Sequence, residues 1–169
     1  VEVDGNIAIG AFALDATADN SHTGTIGIGF EALTNLTSAG TTVAVGYQAL
    51  KALTTGASNH AFGYQSQLAC VDGEANVSFG RGTLGTNVSG DQNTAFGHQA
   101  LETFNSDVDG NNVAVGMNAM QALTTGRNNA VVGTMAGDAL QTGDQNTALG
   151  SFALSSAQDC DRVVAVGYA

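Results

Sequence analysis

The feature that most constrains this chain is a glycine that returns at fixed intervals behind an apolar-small-apolar triplet. These cores end on Gly10, Gly29, Gly46, Gly63, Gly80, Gly97, Gly116, Gly133, Gly150 and Gly167, so neighbouring glycines lie 17 residues apart except for two intervals of 19. A unit of 17 residues leaves no room for a helix pair, or for a strand, a full helix and two loops. It does accommodate one coil of a stacked chain: strand, bend, second apolar segment, turn.

Alignment on the glycine separates the residues into columns. The preceding position is apolar throughout (Ile9, Ile28, Val45, Phe62, Phe79, Phe96, Val115, Val132, Leu149, Val166). Two residues further back the column is mostly β-branched (Ile7, Ile26, Val43, Val77, Val113, Val164), with His60 and Ala130 among the exceptions. Between them sit small residues, chiefly Ala, with Gly27, Ser78 and Val131. Alternation with period two marks a strand. The expectation is that the large residues fill each coil, and that the small face lets backbones of identical rods approach closely, most simply as a parallel homotrimer.

Behind the glycine come a second apolar run (Leu14, Leu33, Leu50, Leu84, Leu101, Met120, Leu154) and, seven past it, Leu36, Leu53, Cys70, Phe104, Leu123 and Leu140. The segments 48–53 and 118–123 have helical spacing, but they are too short to stand alone and run straight into Thr-Thr-Gly. Gly56, Gly73, Gly90, Gly126 and Gly143, ten past the column, are expected to turn the chain with positive φ. The predicted fold is all-β: one repeat domain over 1–169, a parallel β-solenoid of about ten 17–19-residue coils. At about 4.8 Å per coil it is a rod roughly 50 Å long.

Composition narrows the function. Fifteen acids against four bases give a net charge of −11, which opposes nucleic acid and anionic membrane surfaces. No apolar run reaches 18 residues, so no membrane insertion is expected in this segment. The chain starts at Val1 and stops at Ala169 with a coil barely begun, and therefore reads as a fragment of a longer fibre protein.

The recurring N-x-A-x-G, seen at Asn6–Gly10, Asn93–Gly97, Asn112–Gly116 and Asn146–Gly150, resembles the head repeats of YadA-like trimeric autotransporter adhesins. The longer N-T-A-x-G-x-x-A-L with a downstream T-T-G looks like repeats of bacteriophage tail fibres. The resemblance covers essentially the whole chain. It implies a left-handed β-roll, homotrimeric and without catalysis, on a virion or bacterial cell surface, its partners being itself and a host-cell receptor or glycan. Two departures mark this chain: its unit is longer than the commonest adhesin head repeat, and Thr25, Thr42 and Val163 stand where the motif has Asn. The longer unit favours a virion fibre over an adhesin head.

Other motifs give way to the repeat. Gly80-Arg81-Gly82-Thr83-Leu84-Gly85 matches a dinucleotide fingerprint in letters only, because no helix can start convincingly after it. No cofactor is expected. Asp107-Val108-Asp109-Gly110-Asn111 looks like the start of a calcium loop, but its Gly is misplaced and no Glu closes it, so a solvated turn is the preferred reading. Asp72 with Glu74, Asp91, and Asp107 with Asp109 fall on three successive turns, which makes Asp107 and Asp109 the metal candidates, for Ca²⁺, if the ladder is bridged by a cation. His22, His60 and His98 occupy different columns and do not cluster. No nucleophile elbow is present, and a polysaccharide-acting solenoid enzyme would need paired carboxylates with aromatic platforms, so no enzyme is expected. Cys70 is expected to be buried and Cys160 exposed, too far apart to pair. The two longer intervals place extra residues within 15–24 and 102–111, positions where repeat proteins often bind, although tolerated bulges are the preferred reading.

Overall fold

The computed structural model describes residues 5–16 and 23–169. Each apolar-small-apolar triplet is a three-residue strand: β1 (Ile7–Ile9), β2 (Ile26–Ile28), β3 (Val43–Val45), β4 (His60–Phe62), β5 (Val77–Phe79), β6 (Thr94–Phe96), β7 (Val113–Val115), β8 (Ala130–Val132), β9 (Thr147–Leu149) and β10 (Val164–Val166). They form one ten-stranded sheet in sequence order, every neighbouring pair parallel. The register is that of the repeat, for example Val113 against Ala130 and Val115 against Val132. The protein is thus a β-solenoid of about nine turns, and its described residues contain no helix.

The segments with helical spacing follow another path. Residues two and four past the column glycine lie in the left-handed region although most carry side chains, as Gln48 (φ 56°) and Leu50 (φ 50°), or Asn118 (φ 56°) and Met120 (φ 49°) show. Such a conformation costs on the order of 1 kcal/mol or more per residue. What holds it is coil-to-coil hydrogen bonding. The Gln48 N–H donates backwards to Phe30 O at 2.8 Å, whereas the Leu50 N–H donates forwards to Ser66 O at 3.1 Å. Alternating left-handed residues turn successive N–H groups towards opposite neighbours, so the coil stays stitched where no strand exists.

The column glycines are fixed by close approach. Gly116 has φ 138°, and a Cβ there would collide with the backbone carbonyl of Gly133 in the next coil. The turn glycines do not behave as the sequence suggested: none of Gly56, Gly73, Gly90, Gly126 and Gly143 has positive φ. Contact requires them instead, since a Cβ on Gly126 would meet the carbonyl of Gly143 and one on Gly143 that of Cys160.

The interior also reverses the expectation for the strands. The small middle residues Ala44, Ala61, Ser78, Ala95, Ala114 and Val131 are fully buried, with the Leu column and the column seven past the glycine. The flanking large residues face outwards, and Val113 and Val132 are each 39% exposed. The reason is the thinness of the coil. An added Cβ on Gly27 would already lie 3.2 Å from Leu14 Cγ, so a strand residue facing the Leu column must be small. The exception confirms the constraint: Val131 is larger, and its γ-carbons fill the space beside Gly137, where the Leu is missing.

Candidate functional site

The strand's outward columns make the most distinctive surface. Across all ten strands they hold no Asp, Glu, Lys or Arg, although the chain as a whole carries −11. Aromatic residues gather beside them. Of the ten Phe and Tyr, only Phe104 is in the core. Phe62, Phe79 and Phe96 stack along one outward column at centroid distances of 4.3 and 4.5 Å. Just past the glycine, Phe30, Tyr47 and Tyr64 stack at 5.4 and 5.1 Å, and the Arg81 guanidinium closes that row 5.7 Å from the Tyr64 ring. Monomeric proteins rarely leave so continuous an apolar strip in water.

Inside, polar groups are consumed by the stack itself. Asn59, Asn76, Asn93, Asn112, Asn129 and Asn146, four before each glycine, are buried. The Asn129 amide donates to Asn112 Oδ1 (3.1 Å) and to Gly143 O at the far end of its own coil (2.8 Å), while its Oδ1 accepts the Asn146 N–H (2.9 Å). This ladder was visible as a repeated letter, but its task was not: it closes each coil and joins it to the next. The acidic turns work similarly. Asp91 Oδ1 accepts the Glu74 N–H at 2.6 Å, Asp144 the Arg127 N–H at 2.7 Å, and Asp161 the Asp144 N–H at 2.8 Å.

Asp107 and Asp109 are not part of that ladder. With Val108, Asn111, Arg127 and Asn128 they line an open groove of about 490 Å³ at the widened turn, and no aromatic ring lines it. Among the described residues no group of three or more His, Cys, Asp or Glu is placed to hold a metal ion. The other long interval, 15–24, falls largely outside the described residues, as does His22. His60 stands on the outward side of β4, and His98 lies 3.1 Å from Arg81 Nη1. Gly82 takes the left-handed position of its coil (φ 65°), and no helix follows Gly85.

Both cysteines are free. Cys70 is buried, and desolvation pushes its thiol up to about 12. Cys160 is half-buried rather than exposed as expected, packs against the core and lies 3.7 Å from Asn146 Oδ1. Burial raises its thiol as well. Glu31, by contrast, is held below the usual carboxylate range by hydrogen bonds from Lys51 and Gln48, each 2.7 Å long.

Fold and surface together define a β-solenoid repeat protein whose ladders satisfy most of its buried polar groups and whose outward strip is largely apolar. No family model, no curated protein and no solved structure matches the chain.

Proposed function

We propose that this chain is a structural rod segment of a bacteriophage tail fibre, homotrimeric through the outward face of its sheet, acting in attachment to the host cell. The observation that carries the reading is that face: a strip without Asp, Glu, Lys or Arg, apolar but for His60, Thr94 and Thr147, with one aromatic row in it and another beside it, on a chain of net charge −11. Copies of so acidic a chain repel one another except where charge is absent, which leaves this strip as the favoured contact. Burying it supplies the apolar and aromatic core typical of self-association surfaces.

In this reading the rod is mechanical and multivalent. Three parallel copies present equivalent outer surfaces to a receptor or glycan on the host surface, and weak contacts add through avidity. The head of a bacterial trimeric adhesin would use the same physics; the 17-residue unit supports the fibre. Both readings place the chain outside the cell and assign it no catalysis.

Sedimentation equilibrium at micromolar concentration tests the proposal. A mass about three times 16.9 kDa is expected, and Val113→Asp with Val115→Asp should reduce it to one chain that keeps its β circular dichroism. A folded monomer for the unaltered chain would overturn the proposal.

A further inference from the structure

The buried apolar residues do not form one core. One cluster runs from Leu14 to Cys70 and a second from Leu84 to Ala153, with Leu154, Cys160 and Ala165 packed against it. Between them the four inward columns that are otherwise apolar or small turn polar at one level. Along the strand centre the order is Ala61, Ser78, Ala95; three past the glycine, Ala49, Ser66, Thr83, Ala100; four past, Leu50, Gln67, Leu84; seven past, Cys70, Asn87, Phe104. Ser66, Gln67, Ser78, Thr83 and Asn87 are all fully buried.

These side chains bond to one another and to nearby backbone, Thr83 Oγ1 donating to Gly80 O at 2.8 Å. Ser66 Oγ lies 2.6 Å from Ser78 Oγ and 3.1 Å from Thr83 Oγ1, and Gln67 Nε2 donates to Ser78 Oγ at 2.8 Å. Asn87 is satisfied within its own turn by Gly90. Gln67 Oε1 is buried with no partner. In a solenoid each coil is held by its neighbours, so stability is a sum over adjacent interfaces. Exchanging apolar burial for hydrogen bonds of small net worth, with one acceptor unsatisfied, weakens this interface relative to an apolar one.

The units on either side are unequal. The continuous Asn ladder begins at Asn59; before that only Asn6 carries it, and Thr25 and Thr42 hold its place in the two coils between. On the outside, the Phe62, Phe79 and Phe96 stack spans the polar level and joins the two units there.

We propose that the polar seam divides the rod into two cooperative folding units, the first ending near Cys70 and the second beginning near Leu84, and that the first opens while the second stays folded. The outward Phe stack and the Asn59–Asn76–Asn93 stretch of the ladder couple them, so the rod opens at a fixed level rather than fraying evenly from its ends.

Amide hydrogen exchange on the chain tests this. Strands β2 and β3 should exchange at least about ten-fold faster than β6 to β8, with a step across residues 66–87. Phe79→Ala should widen the step. Replacing Ser66→Ala, Gln67→Leu, Ser78→Ala and Thr83→Ala together, the residues that neighbouring coils carry, should narrow it to within about three-fold. A smooth profile across 66–87 in the unaltered chain overturns the proposal, even if the fourfold variant fails to fold; so does a step that neither variant changes. The step is read on the chain at any oligomeric mass, so this result and the self-association reading stand or fall separately.

Discussion

The two sides of each strand teach different lessons although they lie one residue apart. Inward, Ala114 occupies a space set by the Leu column across the coil, and size decides which residue fits. Outward, Val113 is 39% exposed and Val115 partly so, and the Val115 column accepts Phe, Ile, Leu and Val. An inward residue is thus chosen by the fold, and an outward one by what the rod meets. The column glycine is the pivot: Gly116 turns the chain between the two environments and touches the next coil with its backbone.

That contrast can be broken most severely at the pivot. Gly116→Val forces a side chain against the Gly133 carbonyl at a φ that only glycine tolerates, and should cost more than about 4 kcal/mol, enough to abolish the cooperative urea transition. Asn129→Ala strips the interior of several buried hydrogen bonds and leaves the Asn146 N–H without its acceptor. A loss of at least about 2 kcal/mol is expected in the same assay.

A size test compares the two sides directly. Ala114→Leu should cost about 1–3 kcal/mol by overpacking, whereas Val115→Leu should stay within about 0.5 kcal/mol for the single chain. Equal costs would erase the distinction between inside and outside. The thiols give the mildest comparison. With Cys70 raised to about 12 and buried, its thiolate is scarce at pH 8, so a disulfide reagent should modify Cys160 at least about ten-fold faster.

How far the sequence could be read follows from the same contrast. The period, the strand positions and the glycine column were legible because they rest on spacing, and spacing survives folding unchanged. Which side faced in was not, because alternation with period two looks the same from either side. The rule that large residues go inside failed at Val113 and Val115 because the coil is too thin to admit them beside its Leu column. The left-handed residues were hidden for another reason: Gln48 and Leu50 carry no mark of that conformation, which coil-to-coil hydrogen bonds impose. The Asn ladder and the polar seam lay open in the columns. Their meaning needed the neighbouring coil, since a polar residue in an apolar column gains its partners only on stacking.

The outward face is best tested by a pair of cysteine substitutions, each made with Cys160→Ser so that the half-buried native thiol does not compete. Under mild oxidation, Val115→Cys should yield chains joined by a disulfide, visible as a dimer on a denaturing gel, whereas Ala114→Cys, one residue away, should not. Cross-linking of the Ala114→Cys chain with none for Val115→Cys would contradict the account and return the small side of the strand to the interface.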